Sequence, residues 1–295
     1  MKGVIMNMLL PIAKKETKIY HYTSIAGVKG ICEGEFWATE CHFLNDSTEF
    51  QIGTEMFLKV MKKHILNEIA FKEFKARLEY EMQRYGMIEK EKNDGFNYYV
   101  VSFCTEKDSA LMWSAYAGTM GYCMEFDIWE LANSFGEDMM FHGNVVYDEK
   151  EQENYIEGEF KAREDRISDF LSADGEKIID NTKLDVFIKE IAPVCLYYNM
   201  FFKRKCFEGE KEYRMVFPGI YIKNEVPRKY KPEFREKSGV LIPYMVKRIP
   251  NMKCLKSVVL GPQNKMDIAK KGLQWYFESQ KMDIAISESS LPLRY

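Results

Sequence analysis

Apolar and polar residues alternate in a short run near the start of the chain and then take on helical spacing. Residues 18–23, KIYHYT, combine aromatic and β-branched side chains and predict a short strand. Ser24 is a suitable N-cap for a helix over residues 25–33, whose apolar positions recur at helical spacing until Gly34. The run EFWAT at 35–39 predicts a second strand, so the chain is expected to begin with a strand, a helix and a strand.

A long helical pattern follows over residues 47–86. Asp46 with Glu49 three positions later has the spacing of a capping box, and Gly86 is a suitable stop. We therefore expect a helical insertion over about 47–86, capped by Asp46, between the second strand and the third.

The strongest strand signal of the chain is FNYYVVSFCTE at residues 96–106. Residues 108–118 predict a short helix that begins at an Asp108 cap and ends at Gly118. The alternation of residues 121–127 predicts another strand.

The second half of the chain continues the mixture of strands and helices. A charged helical region over residues 149–205, interrupted near SADGE, is flanked by predicted strands at 143–148 and 212–217. Residues 221–239 are basic and contain proline, which predicts a loop. The remaining elements are strands at 239–245 and 255–262, an amphipathic helix at 264–280 and a last strand at 283–289.

The fold class that these patterns predict is α+β, with a mixed, mainly antiparallel sheet of short strands. Long helical insertions occupy about 47–86 and 149–205, within a single domain over 1–295. A doubly wound parallel sheet is not expected, because strands and helices do not alternate regularly. The Gly-x-Gly-x-x-Gly and P-loop signatures are missing, so neither phosphate loop identifies a nucleotide site.

The net charge of the chain argues against one class of function but does not identify the function. The 295 residues carry a formal net charge of −3, which argues against a general nucleic-acid binder that neutralises phosphates over a basic face. A local basic groove is still compatible with that charge. The segment 221–239 supplies one candidate patch, although a solvated loop is the favoured interpretation. Its basic residues are Lys223, Arg228, Lys229, Lys231, Arg235 and Lys237.

The seven cysteines show no C-x-x-C spacing, which predicts reduced, mostly buried thiols and a cytoplasmic protein. No clustered Cys and His residues suggest a structural zinc site, so no metal is expected. The apolar residues 4–13 are too short to span a bilayer and lack a cleavage signature, so neither a membrane segment nor a signal peptide is expected.

Candidate ligand-binding residues occur first in the opening strand. His21 and Thr23 point to one face of that strand, while Tyr22 points to the other and is expected in the core. Two hydrogen-bonding side chains on one face at a strand end suit a polar ligand. A histidine packed beside aromatic rings is the alternative, and it is favoured for His21 taken alone.

Two further candidate groups lie before and after the third strand. Asn45 and Asp46 stand together at the predicted helix start, where a capping role explains only the aspartate. Ser102 lies on the strand that leads into the predicted short helix. On that helix Trp113 and Tyr116 are three residues apart, as on one helical face that could stack a planar heterocycle. Packing of the aromatic pair in the core is the alternative.

The last candidate group is on the predicted strand 212–217. Glu212 and Arg214 share one face of it. The pair is either a simple ion pair or a carboxylate that the arginine orients toward a ligand.

Five motifs in order resemble a bacterial family catalogued as domain of unknown function 2971. They are IYHYTS, FLNDSTEF, VSFCTEKDSALMWSAYAGTMGYCMEFD, KEYRMVF and VVLGP followed by ISESSLPLRY. The resemblance covers about residues 18–295 and implies little about function.

A weaker resemblance concerns the ADP-ribosyltransferase superfamily, in the order of a His-x-Thr strand, an aromatic residue and a later strand glutamate. It implies that His21 with Thr23 binds a ribose of NAD, that Tyr116 or Trp113 stacks on nicotinamide, and that Glu212 holds the ribose 2′-hydroxyl. The chain departs from that superfamily in its long helical insertions, and Glu210 is a rival for Glu212.

The superfamily resemblance implies NAD as a substrate and transfer of ADP-ribose to nucleic acid or protein, or NAD hydrolysis, in a toxin or phage-defence setting. The catalytic residues would be Glu212 and His21. The binding residues would be His21, Thr23, Asn45, Asp46, Ser102, Trp113, Tyr116 and Arg214. A nucleotide sensor without catalysis and a partner-binding module are the alternatives.

Overall fold

The computed structural model describes residues 17–46, 50–85, 97–223, 226–264 and 266–292, with the backbone alone at 221–229. Over these residues the chain is a mixture of helices and a mainly antiparallel sheet, as the sequence predicts. The strands are β1 Lys18–Thr23, β2 Glu35–Glu40, β3 Tyr98–Cys104, β4 Tyr122–Asp127, β5 Phe141–Asn144, β6 Glu212–Pro218, β7 Ile220–Lys223, β8 Val226–Lys229, β9 Glu233–Lys237, β10 Val240–Arg248, β11 Leu255–Leu260 and β12 Ala285–Glu288.

Eight α-helices of five residues or more lie within the described ranges. They are α1 Ile25–Cys32, α2 Ile52–Met61, α3 Glu68–Arg84, α4 Ile128–Phe135, α5 Glu149–Lys161, α6 Glu164–Ser168, α7 Asn181–Phe201 and α8 Asp267–Ser279. A three-residue helical turn, Ala110–Met112, leads directly into a π-helical segment, Trp113–Ala117.

Ten described strands form one sheet in the order β12-β11-β4-β1-β3-β2-β10-β9, with β6 beside β3 and β5 beside β6. Among these ten strands, only β11 and β12 pair in parallel. Strands β7 and β8 form a separate two-stranded sheet.

Helices cover both faces of the ten-stranded sheet. On one face, α1, α4 and α8 contribute Val28, Leu131 and Phe277 to an apolar cluster with Phe103 and Tyr213. On the other, α2, α3, α5 and α7 form a thick helical layer, whose buried residues pack on neighbouring strand positions such as Val216. Because successive strand residues point to opposite faces, β3 and β6 contribute side chains to both clusters.

The sheet is split beside β3. Strand β6 pairs with one edge of β3 along the whole length of β3. The opposite edge is divided, because β1 pairs with it at Cys104 and β2 pairs with it at Val100 and Tyr99. On that edge, residues 101–103 pair with neither β1 nor β2. The two strands diverge there and leave an opening through the sheet.

The predicted strand–helix–strand opening is confirmed. The Ser24 side chain caps α1 by accepting a hydrogen bond from the Gly27 amide at 3.3 Å. Gly34 follows α1 with φ +86°, and a Cβ there would lie 2.7 Å from the Ile249 carbonyl oxygen. Glycine is therefore required at this stop by both backbone conformation and space.

The predicted insertion at 47–86 is two helices, and Asp46 is not its cap. Helix α2 begins at Ile52, after an N-cap residue, Gln51, that makes no side-chain capping bond. Helix α3 begins after Asn67, whose side chain accepts hydrogen bonds from two backbone amides. The predicted roles of Glu49 and Gly86 fall outside the described residues.

The predicted Asp108 cap is also wrong. Asp108 has φ +60°, and the N-cap of the following helical turn is Ser109. The Asp108 carboxylate instead accepts hydrogen bonds from the Trp113 indole and from the C-terminal segment at Ser289 and Ser290. The expected end at Gly118 is confirmed.

The predicted loop at 221–239 contains β7, β8 and β9. These strands lie at sheet edges, where charged residues and proline are tolerated because one row of backbone groups needs no strand partner. Strand β5 also begins and ends earlier than predicted, at Phe141–Asn144.

Candidate functional site

A cavity of about 470 Å³ occupies the opening between β1 and β2. It is the feature that brings distant candidate residues together, since side chains from both sides of the split contribute to its wall. The predicted site residues that line it are His21, Thr23, Asn45, Ser102, Tyr116, Glu212 and Arg214. Two predicted residues, Asp46 and Trp113, do not line it.

His21 lies in the split itself. Its Nδ1 is 3.0 Å from the Ser102 backbone oxygen, and its ring meets Phe103 edge-on. Burial lowers the pKa of His21, so the neutral imidazole is favoured. A neutral ring that donates from Nδ1 to a carbonyl keeps Nε2 as a hydrogen-bond acceptor, which suits a ligand hydroxyl.

Thr23 is the last residue of β1, and its side chain lies against α1. A Cβ at Gly27 would lie 2.0 Å from the Thr23 Oγ1, so any larger residue at Gly27 would displace that hydroxyl. The glycine lets the helix approach the strand end, and it fixes one wall of the cavity.

Glu212 lies on the opposite face of the sheet from His21, with only 5% of its surface exposed. Its Oε1 accepts a hydrogen bond from the Arg214 Nε at 2.8 Å, and its Oε2 accepts one from Nη2 at 2.7 Å. Burial raises the pKa of Glu212, but attraction to Arg214 and Lys203 outweighs it and lowers the pKa to about 2. Glu212 is therefore a carboxylate at neutral pH.

Arg214 acts through Glu212. Its side chain has no exposed surface, and its third donor, Nη1, is 2.8 Å from the Met200 carbonyl oxygen. The guanidinium also lies 5.6 Å from the Phe50 ring centroid. These contacts make Arg214 a positioning residue that holds the carboxylate in one orientation.

Glu210 supplies a second carboxylate beside the first. It ends a 3-10 turn, Lys205–Glu210, and precedes Lys211, whose left-handed φ of +43° marks the change from turn to strand. Its Oε1 accepts a hydrogen bond from the Tyr116 hydroxyl at 2.7 Å. The Asn45 amide donates in turn to that hydroxyl at 2.8 Å.

Lys203 joins the two carboxylates and was missed by sequence reasoning. Its Nζ lies 2.6 Å from a Glu210 oxygen and 3.4 Å from a Glu212 oxygen. In the sequence FFKRK it looks like its basic neighbours, and only its burial distinguishes it. We call the set Lys203, Glu210, Glu212 and Arg214 the carboxylate cluster; its two cations balance its two anions.

Trp113 and Tyr116 do not share a face, contrary to the helical expectation. Trp113 has no exposed surface and packs edge-on against Tyr22, with ring centroids 4.9 Å apart. Tyr116 is 36% exposed and reaches the cavity. The π-helical segment has a wider turn than an α-helix, which rotates residues three apart onto different faces.

Arg235 lines the cavity from β9, although the sequence placed it in a loop. Its Nη2 donates to the Thr39 Oγ1 at 2.7 Å. Its guanidinium lies 5.8 Å from the Trp37 ring centroid and 5.7 Å from that of Tyr244. Lys237, two residues along the same strand, lines the cavity as well.

Three side chains of the kinds that bind metal ions lie close together outside the cavity. The sequence did not predict this grouping. Glu40, Cys41 and His42 hold potential ligand atoms within 4.8 Å of one another. Local hydrogen bonds account for this grouping, because the Glu40 carboxylate accepts from the His42 amide at 2.9 Å as the cap of a 3-10 turn. Its other oxygen is 2.9 Å from the His42 Nδ1.

Comparison with known proteins gives one partial match. Searches of curated proteins and of solved structures found no match to this chain. No helix in the described ranges combines the length and apolar character needed to cross a membrane. Residues 112–215 match the family model described as "Protein of unknown function (DUF2971)". That span contains Tyr116 and the whole carboxylate cluster, and it supports the resemblance to this family seen in the sequence.

Proposed function

We propose that the cavity binds NAD or a related nucleotide, and that the protein is an ADP-ribosyltransferase or NAD glycohydrolase. The observation that carries this proposal is that His21, Tyr116 and Glu212 line one cavity, although 191 positions separate the first from the last. The cavity volume of about 470 Å³ lies within the usual range for small-molecule sites.

The polar groups of the cavity suit a ribose. The Nε2 of His21 accepts from a ribose hydroxyl, and Thr23, two residues along the same face of β1, also lines the cavity. The partly exposed Tyr116 ring offers a surface for a planar base such as nicotinamide.

The chemistry requires a carboxylate that is ionised before the ligand arrives. Breaking the nicotinamide–ribose bond moves the bonding electron pair onto nicotinamide and develops positive charge on the ribose. Glu212 supplies a fixed negative charge, and Arg214 and Lys203 keep it ionised and oriented. In a site shielded from water such a charge lowers the barrier by about 3–4 kcal/mol.

The acceptor of the ADP-ribose decides between the two activities. Water at the ribose carbon gives NAD hydrolysis, whereas a nucleophile of nucleic acid or protein gives transfer. The toxin or phage-defence setting comes from the superfamily resemblance alone.

A second candidate is a nucleotide-binding module that performs no reaction. One observation favours it: both oxygens of Glu212 are already engaged, and the side chain is nearly covered. In this case Glu212 stabilises the wall of the cavity and the ligand is bound unchanged.

The test is nicotinamide release from NAD, with and without nucleic-acid or protein acceptors. Glu212→Gln is expected to lower the rate about 10²–10³-fold, which corresponds to the loss of 3–4 kcal/mol. Its matched control is Glu125→Gln, because Glu125 is a strand glutamate that is equally buried and paired with Lys18 but lies outside the cavity.

His21→Ala is tested beside His142→Ala, a part-buried histidine on β5 that hydrogen-bonds Tyr213 and does not line the cavity. Release that survives both Glu212→Gln and His21→Ala contradicts the site. NAD binding without release under any acceptor supports the binding module.

A further inference from the structure

We propose that Arg235, with Lys237 beside it, forms an anion subsite of the cavity that takes a phosphate group of the ligand. The assignment of that ligand as a nucleotide rests on the proposed function. The subsite itself rests on charge balance, on the aromatic support of the guanidinium and on its place in the sheet.

The charge of Arg235 is not balanced by the described residues. The other two cations of the inner wall, Lys203 and Arg214, contact carboxylates directly. Arg235 makes no ion pair among the described residues, and its Nη2 donates to a neutral hydroxyl, that of Thr39. Its Nε is buried and hydrogen-bonds no described group.

Glu35 and Glu236 also line the cavity, and each has another partner. Glu35 lies 2.7 Å from the Arg248 Nη2, and Glu236 accepts the Gly239 amide at 2.5 Å. A half-buried cation without a counter-charge is costly, and an anionic ligand offsets that cost.

The guanidinium is held in place before a ligand binds. The rings of Trp37 and Tyr244 are stacked with centroids 4.6 Å apart, and the Arg235 guanidinium lies beside both. The Thr39 hydroxyl fixes one donor. A planar guanidinium that is fixed before binding suits phosphate, because arginine binds two phosphate oxygens through two of its donors.

The sheet places this group at a suitable distance from the carboxylate cluster. Thr39 pairs with Val100, which pairs with Val216, so all three point to one face. Arg214 and Glu212 lie on that same face of β6. Thr39 and β6 are two strand spacings apart, about 10 Å, so one extended ligand can reach both.

Arg235 also acts on the histidine of the split. His21 and Arg235 both line the cavity, and besides burial the positive charge of Arg235 lowers the pKa of His21. A ligand whose hydroxyl meets His21 therefore has its charged part within reach of Arg235. This fits a sugar that carries a phosphate, such as the ribose of a nucleotide.

The first experiment is a calorimetric titration of the full chain with inorganic pyrophosphate. Arg235→Gln is expected to weaken pyrophosphate binding at least tenfold. Arg235→Lys keeps the positive charge but loses the planar pair of donors, so it should weaken binding less. Arg84→Gln is the control, because Arg84 is an arginine outside the cavity that pairs with Glu81. Thr39→Ala, a milder change that frees the guanidinium, replaces Arg235→Gln if that variant does not fold.

The second experiment compares NAD with nicotinamide riboside, which has the same scissile bond and no phosphate. Arg235→Gln should lower nicotinamide release from NAD at least tenfold and leave release from the riboside within twofold.

The outcomes separate the subsite from the function. Pyrophosphate binding that depends on Arg235, without cleavage of either compound, supports the subsite and counts against the enzyme. Pyrophosphate affinity and NAD cleavage that are both unchanged in Arg235→Gln overturn the subsite and leave the enzyme standing.

Discussion

The two cationic regions of the cavity differ in how their charge is balanced. In the carboxylate cluster, Arg214 and Lys203 are matched by Glu210 and Glu212, so the region is neutral and internally bonded. At the other region, Arg235 rests on Trp37 and Tyr244 without a carboxylate among its described partners. The carboxylate cluster stabilises the wall of the cavity, whereas the Arg235 region can bind an anionic ligand.

This difference separates stability from ligand binding. A charge that is paired inside the protein contributes to the stability of the fold. Its removal leaves the partner charge buried and unpaired. A charge that lacks an internal partner contributes little to folding and much to the capture of an opposite charge. The substitution of arginine by glutamine should therefore mainly lower stability at Arg214 and mainly lower ligand affinity at Arg235.

The largest expected effect is on the free energy of unfolding. Arg214→Gln removes the main partner of a buried carboxylate and should destabilise the protein by about 3–5 kcal/mol. Arg235→Gln should change stability by less than about 1 kcal/mol without ligand, because no ion pair is broken. Urea unfolding of the two variants measures both values, and equal losses would contradict the comparison.

The next effect is the acid sensitivity that Glu212 confers. Because its pKa in the folded protein is about 2, below its ordinary value of 4.5, its stabilisation is complete above pH 4.5 and is lost as the pH falls toward 2. The loss between pH 5 and pH 3 is about 2 kcal/mol. Glu212→Gln should remove this part of the pH dependence of unfolding, whereas Glu125→Gln should leave it in place.

A smaller effect concerns His21 and ligand affinity. Loss of its Nε2 acceptor should weaken NAD binding about tenfold, a typical value for one hydrogen bond of about 1.4 kcal/mol. Because burial keeps the pKa of His21 below its ordinary 6.5, affinity should be flat between pH 7 and pH 8. Affinity that falls as the pH rises through this range would indicate that a protonated imidazole binds the ligand.

The smallest effect is expected at Tyr116. Tyr116→Phe keeps the ring and removes the hydroxyl that links Asn45 to Glu210, so NAD affinity should fall less than about fivefold. Tyr116→Ala also removes the ring surface and should cost more. Equal affinities for the two variants would show that the ring does not contact the ligand.

The sequence predicts the local elements better than the site they build. The opening strand, helix and strand are recognisable because Ser24 and Gly34 carry short-range signals. Trp113 was misplaced because a π-helical segment and an α-helix share one apolar pattern. Charged edge strands resemble loops, so Arg235 was hidden among the residues of an expected loop.

The split in the sheet could not be predicted from local patterns. It depends on which strands share one edge of β3, a long-range choice that hydrophobic alternation does not encode. The burial of Lys203 depends on the same packing. His21 and Glu212 were each recognisable as candidates, yet only the tertiary structure brings them to one cavity.

The central claim is that this cavity binds a nucleotide, and calorimetric titration with NAD tests it most directly. Wild-type protein and the His142→Ala and Glu125→Gln controls should bind with equal affinity, while His21→Ala and Arg235→Gln should each bind about tenfold more weakly. No measurable binding by wild type, or equal affinity in all five proteins, would contradict the account.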